Sequence, residues 1–473
     1  MVLIKDLLIQ RFPWTATPQQ NSVFELLAQF LSSFHTQDCF VLKGYAGTGK
    51  TTIISALVKT LPYIKKKAVL LAPTGRAAKV MSFYSGRPAL TIHKKIYRKK
   101  NAVSFQLDFT LAENLHEDTL FIIDESSMIS NESVNMFSKS LLDDLVKYVR
   151  SGKNCSIMFV GDTAQLPPVG LWESPALNPA YLEHEFYFHP YTFELTDVVR
   201  QQKSSGILFN ATKIRQEINL EELEGTYPFP KFITNGFKDI YRMTGERLIE
   251  GINYAYDKFG IENTMIICRS NKSANLYNQH IRNQILFRDE EITGGDHIMV
   301  VRNNYFWLQD NGIENGFIAN GDMAKIRKVS NVHEQHGFRF ADITLEFMDT
   351  QNQEPITCRV ILDSLYTDSP NLPYEEQKKL YEAVALDYED IFLKQDRLEA
   401  IKKDPYYNAL QIKFAFAITC HKAQGGQWPA VFVDQGYLTD EMLTTEFLRW
   451  LYTGITRATE ELFLVNFNEK FYS

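Results

Sequence analysis

A glycine-rich segment near the amino terminus constrains the fold of this chain more than any other feature. Residues 41–52 read Val-Leu-Lys-Gly-Tyr-Ala-Gly-Thr-Gly-Lys-Thr-Thr, between a short apolar run and a helical pattern. This order of strand, loop and helix is typical of a phosphate loop, in which backbone N–H groups and the helix dipole bind phosphate oxygens. Lys50 supplies a point charge, and Thr51 offers a hydroxyl to Mg²⁺. The segment therefore predicts nucleotide binding rather than an incidental glycine-rich turn.

Length and composition indicate a folded, multidomain protein. The 473 residues are enough for about two to four domains, and 45% of them are apolar. The formal net charge of −7 argues against coating of nucleic acid through bulk charge, but it permits a basic channel within an acidic shell. The five cysteines form no C-x-x-C pair, so neither a zinc site nor a disulfide framework is predicted.

The sequence carries no signal for export or for a membrane span. Its first residues are too polar for the apolar region of a signal peptide, and no stretch reaches about 18 uninterrupted apolar residues. We therefore expect no membrane association and a cytoplasmic location.

Strands and helices alternate over residues 39–201, which predicts a parallel sheet with helices on both faces. A second α/β unit begins near the buried strand at 264–268 and resumes at 414–419. Between these strands, residues 294–411 carry short alternating runs and turn pairs such as Asn320-Gly321. That pattern predicts a small antiparallel barrel inserted into the second unit.

Polar residues at the ends of predicted strands are candidates for chemistry. Asp124 and Glu125 end a strand and suit Mg²⁺ coordination and the polarisation of a water, although two carboxylates can also cap a helix. Gln165 follows the next strand, where polar side chains line the crevice of an open α/β sheet. Arg200 either pairs with a surface acid or reaches the nucleotide.

The run at 91–100 has five basic residues, no acidic ones and Tyr97 among them. Charge runs are usually solvated faces. Because this one directly follows a strand-end loop, we interpret it as an arm that contacts phosphates.

Seven motifs, in their order along the chain, resemble those of superfamily-1 helicases, and the variant is similar to the RecD/Dda branch, the B class. They lie at 44–51, 73–78, 124–128, 161–168, 199–201, 419–425 and 452–458. The resemblance spans nearly the whole chain. One departure is Gly426-Gln427, where relatives commonly carry Ser then Glu, so the coupling role of this position is in doubt.

The resemblance implies an α/β fold with two RecA-like parallel-sheet P-loop domains. A small pin-bearing subdomain would be inserted in the first domain and an SH3-like β-barrel domain in the second. The implied limits are 1–90 and 119–201 for domain 1A, 91–118 for subdomain 1B, 202–293 and 412–473 for domain 2A, and 294–411 for domain 2B.

The resemblance also implies that ATP lies between the two domains. Gln20 would read adenine, Asp124 and Thr51 would hold Mg²⁺, and Glu125 would orient the attacking water. Gln165 and Arg200 would sense the γ-phosphate, and Arg457 would act from the second domain as an arginine finger, so that ATP binding closes the cleft. The implied nucleotide contacts are Gln20, Gly44, Ala46, Gly47, Thr48, Gly49, Lys50, Thr51, Thr52 and Gly425.

The resemblance also implies contacts to single-stranded DNA, and these fall in strand-end loops of this sequence. Most of the side chains are hydroxyls, imidazoles or amides suited to backbone phosphates, which position a strand without reading its sequence. A histidine such as His93 or His421 would on its own more often be a packed residue, but its motif favours a strand contact. The implied contacts are Pro73, Thr74, Thr91, His93, Arg269, Asn271, Thr419 and His421.

The expected activity is that of an ATP-dependent DNA helicase that uses ATP and Mg²⁺. It would translocate on single-stranded DNA, with 5′ to 3′ polarity implied by the B class alone. We expect a monomer acting on tailed or forked duplex DNA, with replication, repair or recombination proteins as possible partners. Two alternatives remain open: an RNA or RNA–DNA remodelling helicase, and an ATP-switched module that grips DNA without translocating. A helicase–nuclease fusion has less support, because no clustered D/E/K signature is present.

Overall fold

The structure is a computed structural model that describes residues 2–33, 35–99, 109–132, 140–199, 204–224, 229–310, 318–348 and 354–472. Within these residues the chain forms two parallel sheets and a closed β-barrel. No helix among them is long and apolar enough to cross a lipid bilayer.

In its described residues, the amino-terminal part contains eight strands and seven α-helices. The strands are β1 (Asp38–Gly44), β2 (Lys67–Ala72), β3 (Ala89–Thr91), β4 (Tyr97–Lys99), β5 (Phe109–Leu111), β6 (Thr119–Ile123), β7 (Ser156–Gly161) and β8 (His189–Leu195). The helices are α1 (Val2–Arg11), α2 (Pro18–Ser33), α3 (Lys50–Thr60), α4 (Gly75–Ser85), α5 (Ile92–Ile96), α6 (Leu141–Ser151) and α7 (Pro179–Phe186). Six of the strands form one sheet in the order β3-β2-β6-β7-β1-β8, and all of its neighbouring pairs are parallel.

Alternating side chains of β1 show how this sheet is buried on both faces. Phe40 and Leu42 join the core beneath α1, α2 and α3, whereas Cys39 and Val41 join the core beneath α5, α6 and α7. All four are fully buried. Burial of such side chains stabilises the fold by about 1.5–3 kcal/mol each, so a strand with no polar face requires helices on both sides.

The second sheet belongs to the carboxyl-terminal half. Its strands are β9 (Ile240–Met243), β10 (Thr264–Cys268), β16 (Ala417–Thr419), β17 (Trp428–Asp434) and β18 (Ala458–Val465), in the order β16-β10-β17-β18-β9. All of the neighbouring pairs are parallel. The helices of this domain are α8 (Gly206–Glu224), α9 (Leu248–Phe259), α10 (Asn271–His280), α14 (Cys420–Ala423) and α15 (Thr445–Ile455). The predicted pair of parallel-sheet α/β domains is thus confirmed.

A closed five-stranded barrel interrupts the second domain. It consists of β11 (His297–Val300), β12 (Met323–Gln335), β13 (Phe338–Phe347), β14 (Ile356–Ile361) and β15 (Leu410–Phe414). Helix α11 (Trp307–Asp310) lies between its first two strands, and α12 (Tyr374–Leu386) and α13 (Lys394–Lys402) lie between its last two. The barrel shares one continuous apolar core with the second sheet, in which Ile298 and Ile343 join Ile266 and Phe432.

The barrel differs from prediction in one pairing. Most of its strand pairs are antiparallel, but β14 and β15 pair in parallel and close the barrel. A parallel pair needs a long crossover, and the connection that carries α12 and α13 supplies it. The presence of a barrel is therefore confirmed, whereas the wholly antiparallel arrangement was wrong. The domain limits and the SH3-like classification stay predictions.

A two-stranded hairpin occupies the region predicted as the first insertion. Strands β4 and β5 pair in an antiparallel manner, with Tyr97 opposite Leu111. The Tyr97 hydroxyl donates a hydrogen bond to Asp144 of α6, at 2.8 Å, and so attaches the hairpin to the first domain. Residues 100–108, which include the end of the predicted basic arm and any strand-separating pin at this tip, lie outside the described residues.

Candidate active site

The phosphate loop leaves β1 at Gly44 and enters α3 at Lys50. Gly47 and Gly49 have φ values of 75° and 91°, in the left-handed region that favours glycine. The Lys50 ammonium donates to the carbonyl oxygens of Gly44 at 2.6 Å and Tyr45 at 3.0 Å. These contacts keep the charge within the loop, where the sequence placed a phosphate-binding cation.

Gln20 lies directly against this loop. Its side-chain amide donates to the Thr48 carbonyl at 3.1 Å and accepts from the Thr17 amide at 3.0 Å. A Cβ at Gly49 would lie 2.6 Å from Gln20 Nε2, so this close approach also requires glycine. The predicted adenine-reading residue is thus beside the loop. Thr51 is exposed and Thr52 half-buried in the first turn of α3.

Asp124 and Glu125 follow β6 at the carboxyl edge of the same sheet. The Asp124 carboxylate accepts the Glu125 amide at 2.9 Å and the Tyr84 hydroxyl through its other oxygen. Glu125 has a φ of 51°, and such a left-handed conformation in a residue other than glycine costs about 1–3 kcal/mol. Burial raises the pKa of Glu125, Asp124 adds to that rise, and the cations Arg457 and Lys50 oppose it.

The residues predicted to hold Mg²⁺ suit that ion chemically. Thr51 and Asp124 both offer oxygen, and Mg²⁺ commonly uses one or two protein oxygens together with phosphates and water. In the described part of the chain, no group of three or more His, Cys, Asp or Glu side chains could hold a metal by itself.

Arg457 reaches this centre from the second domain. Its guanidinium Nη1 lies 3.9 Å from Glu125 Oε1, and the residue is only 3% exposed. Nε donates to the Thr453 carbonyl at 3.0 Å and Nη1 to the Gly426 carbonyl at 3.3 Å. The second domain therefore contributes a fixed cation to the cleft that holds the phosphate loop.

Gln165 lies on the same side of the cleft as Glu125. It is 5% exposed, and its buried Oε1 has no hydrogen-bond partner among the described residues. An unsatisfied buried polar atom costs about 1–3 kcal/mol, which suits a group that bonds to a ligand or a water. Arg200, the other predicted sensor, lies outside the described residues.

Two family models match regions of the chain that contribute to this site. A model described as an AAA domain matches residues 17–225, and one described as a UvrD-like helicase C-terminal domain matches residues 414–465. The ATP-dependent DNA helicase dda of Enterobacteria phage T4 is 24% identical over 451 residues, which cover 90% of this chain and 93% of that protein. The chain is thus similar to superfamily-1 helicases of the B class.

Two further similarities extend along nearly the whole chain. Uncharacterized protein R530 of Acanthamoeba polyphaga mimivirus is 24% identical, over 94% of this chain and 98% of that protein. Among solved structures, a Pif1 helicase from a study of forked DNA unwinding by two coordinating Pif1 helicases covers 97% of this chain and 94% of its own. It has 15% sequence identity and a TM-score of 0.49.

A tyrosine for which the sequence indicated no individual role links the two domains. The Tyr452 hydroxyl on α15 accepts the amide of Ala46 in the phosphate loop and donates to Asp162 after β7, both at 2.8 Å. Tyr452 is 1% exposed, and burial together with Asp162 raises its pKa well above the usual range. It therefore stays protonated as a donor. Its place in the 452–458 motif was a usable signal.

Neighbouring groups extend this interdomain contact. The Leu166 amide donates to the Thr453 hydroxyl at 2.9 Å, and the Leu166 carbonyl accepts the Gln424 side chain at 2.7 Å. These bonds hold the loop that carries Gln165 against the second domain. Movement of α15 relative to the first sheet would therefore displace the loop that carries Gln165.

Strand-binding candidates of the first domain meet at one sheet edge. Thr91 at the end of β3 pairs with Ala72 at the end of β2, which brings the segment of Thr91 and His93 close to Pro73 and Thr74. The two threonines cap helices, since Thr74 Oγ1 and Thr91 Oγ1 each accept a backbone amide of the following turn at 3.2 Å. Burial lowers the pKa of His93. His93 is therefore a neutral hydrogen-bonding group rather than a cation at physiological pH.

The candidates of the second domain are arranged in the same way. Thr419 at the end of β16 pairs with Cys268 at the end of β10, so the loops that carry Arg269 and Asn271 lie beside those of Thr419 and His421. Arg269 donates to the Tyr437 carbonyl at 2.8 Å. Burial lowers the pKa of His421.

Gly425 connects the two groups of loops. With a φ of 73°, it lies so close to α4 that an added Cβ would meet the Cβ of Ala77 at 2.7 Å and the hydroxyl of Thr74 at 3.1 Å. The structure thus places this predicted nucleotide contact beside a predicted DNA contact. This contact brings the 419–425 segment, which carries Thr419 and His421, against the segment that carries Thr74.

Proposed function

We propose that this chain is an ATP-dependent DNA helicase that moves along single-stranded DNA and separates duplex strands. The observation that carries this proposal is the meeting of Arg457, from the second domain, with Glu125, from the first, beside the phosphate loop. A site divided between two domains can convert a change at the nucleotide into relative movement of those domains. Each cycle of closing and opening then moves the strand-binding loops.

Roles for the residues of the first domain follow from their positions. Lys50 and the amides of the phosphate loop bind the phosphates, with Gln20 alongside for the adenine. Thr51 and Asp124 would hold Mg²⁺, which neutralises charge on the transferred phosphoryl group. Glu125 orients the attacking water, and the free acceptor of Gln165 responds to the γ-phosphate or to that water. Arg200 is proposed as a second phosphate sensor.

Residues of the second domain complete the reaction. Arg457 stabilises the negative charge that develops in the transition state, a contribution that is typically 10³-fold or more in rate. Because its guanidinium is held by carbonyls of Thr453 and Gly426, its position follows that of the second domain. Hydrolysis is therefore fast only when the two domains are correctly closed.

The strand is held through its backbone by loops of both domains. Hydroxyl, amide and imidazole groups at the sheet edges contact phosphates and sugars, so binding is independent of base sequence. We propose that a monomer engages the single-stranded tail of a tailed or forked duplex in this way, alongside replication, repair or recombination proteins. The proposed direction of movement is 5′ to 3′.

Strand displacement tests this function. Duplexes with a 5′ tail, a 3′ tail or blunt ends are incubated with excess ATP and Mg²⁺, and the released strand is measured. We expect multiple-turnover release from the 5′-tailed duplex, dependent on hydrolysable ATP. Binding without release would favour the ATP-switched module, and release from the 3′-tailed duplex alone would overturn the polarity.

A second measurement addresses the nucleic acid. Stimulation of ATP hydrolysis is compared between single-stranded DNA and RNA of matched length. We expect clear stimulation by DNA. Equal or greater stimulation by RNA would favour an RNA or RNA–DNA remodelling helicase.

A further inference from the structure

Helix α4 joins a strand-binding loop to the nucleotide site. Thr74 caps its amino-terminal end, and Tyr84 lies in its last turn. Ten residues of α-helix span about 15 Å, so the two ends belong to different functional regions. The Thr74 end faces the surface proposed for DNA, whereas the Tyr84 end reaches Asp124.

The Tyr84 contact completes the hydrogen bonding of the Asp124 carboxylate. One oxygen of that carboxylate accepts the Glu125 amide at 2.9 Å, and the other accepts the Tyr84 hydroxyl. Asp124 is thereby fixed in a single orientation by one local and one distant donor. Groups that orient a metal ligand commonly change metal affinity by 10–100-fold when they are removed.

The opposite end of α4 contacts the second domain. The guanidinium of Arg76 stacks on the Trp428 ring, 4.5 Å from its centroid, and donates to the Gln427 carbonyl at 3.1 Å. Ala77 lies against Gly425, and the Lys79 ammonium donates to the carbonyl of Met348 in the barrel domain. A change in domain position at the strand-binding surface therefore acts on the helix that carries Tyr84.

We propose that the Tyr84 hydroxyl positions Asp124 for Mg²⁺, and that α4 thereby links single-stranded DNA at the Thr74 end to Mg²⁺-dependent nucleotide binding. The inference rests on the proposed function, because it assumes a nucleotide site and a strand-binding surface. Tyr84 acts through Asp124 and is a positioning residue. The link is reciprocal, so Mg²⁺ and nucleotide also strengthen DNA binding through the same helix.

The experiment measures binding rather than turnover. A fluorescent ADP analogue is titrated at a series of Mg²⁺ concentrations, with and without an oligothymidylate, for the intact wild-type chain, Tyr84→Phe and Tyr63→Phe. Tyr63 is a matched control in the same domain, since it is 60% exposed and its ring lies against the Arg11 guanidinium. Affinity for the oligothymidylate in the absence of nucleotide shows that each variant is folded.

In the wild type and in Tyr63→Phe, we expect the oligothymidylate to lower the Mg²⁺ midpoint for analogue binding. Tyr84→Phe should raise the midpoint about tenfold without DNA and should abolish the DNA-dependent shift. A wild-type midpoint and shift in Tyr84→Phe would overturn the proposal. A raised midpoint with an intact shift would overturn the link through α4 while keeping the positioning role.

The same binding measurements distinguish failure of the proposed function from failure of the inference about Tyr84. A wild-type chain that bound neither the analogue nor the oligothymidylate would overturn the helicase assignment itself, and the role of Tyr84 with it. A wild-type chain that bound both, with an unchanged Tyr84→Phe variant, would overturn only the inference about Tyr84.

Discussion

The proposed roles of four site residues depend on their local environments. These residues are Lys50, Glu125, Gln165 and Arg457. Lys50 is held within the loop by two carbonyls, and Gln165 has a buried acceptor without a partner among the described residues. Glu125 combines a left-handed backbone with a raised pKa caused by burial. Strain and burial of this kind are retained where they place a side chain for chemistry.

Replacement of Lys50 tests the phosphate-binding assignment. Lys50→Ala should abolish ATP hydrolysis, while single-stranded DNA binding largely survives, because the hydrogen bonds of the lysine go to carbonyls of the phosphate loop. Lys59→Ala is a matched control, since Lys59 is an exposed lysine at the other end of α3. Hydrolysis is measured by phosphate release and binding by fluorescence anisotropy. Wild-type turnover in Lys50→Ala would contradict the assignment.

Replacement of Tyr452 tests the interdomain bridge. Tyr452→Phe leaves the Ala46 amide and one Asp162 oxygen without their shared partner. We expect a destabilisation of about 1–3 kcal/mol and slower hydrolysis, measured by denaturant unfolding and by phosphate release. Tyr374→Phe, at a 76% exposed tyrosine, serves as the control. Unchanged stability and turnover would show that the bridge has no energetic role.

At the level of elements, function depends on the carboxyl ends of parallel strands. The ends of β1, β6 and β7 carry the proposed nucleotide-binding groups, and those of β2, β3, β10 and β16 carry the strand-binding candidates. Because every strand of a parallel sheet ends at the same edge, residues that are far apart in sequence converge there. The β4–β5 hairpin and the barrel are additions to this framework.

The hairpin gives a prediction of its own. Tyr97→Phe removes the hydrogen bond to Asp144 and loosens the hairpin on α6. If the hairpin supports a strand-separating pin, strand displacement should fall several-fold while DNA-stimulated ATP hydrolysis stays near the wild-type rate. The two rates are measured on the same tailed duplex. An equal fall in both, or in neither, would argue against a separating role for the hairpin.

At the level of the whole molecule, groups of the second domain contact the candidate nucleotide site of the first. Arg457 lies beside Glu125, Tyr452 bridges Ala46 and Asp162, and Arg449 donates to the Trp172 carbonyl at 2.6 Å. All three groups of the second domain belong to α15 or to the turn that follows it. In the proposed function, movement of α15 would therefore couple hydrolysis to translocation.

Replacement of Arg457 tests this coupling. Arg457→Ala should still bind nucleotide, because the phosphate loop is unchanged, but turnover should fall on the order of 10³-fold. Nucleotide affinity is measured with a fluorescent analogue and turnover by phosphate release. Arg457→Lys keeps the charge but loses the planar fork, so we expect only partial recovery. Unchanged turnover in Arg457→Ala would argue against hydrolysis in a cleft shared by the two domains.

The sequence alone determined the features that depend on contiguous residues. The phosphate loop at 44–51 and the carboxylates Asp124 and Glu125 are recognisable because turn, charge and helix start are encoded within a few positions. The alternation of apolar strands with helices predicted both parallel sheets, and turn pairs predicted a barrel. The roles of individual site residues remain predictions that the experiments above address.

The tertiary structure alone decided which distant groups meet. Tyr452 contacts Ala46 across 406 positions of sequence, and Tyr84 contacts Asp124 across 40. Tyr452 lies in a recognisable motif and Tyr84 does not, but in both cases the partner of the hydroxyl is selected by the packing of whole helices against a sheet. The parallel closure of the barrel by β14 and β15 has the same origin. Such contacts depend on long-range packing, which a local sequence pattern does not specify.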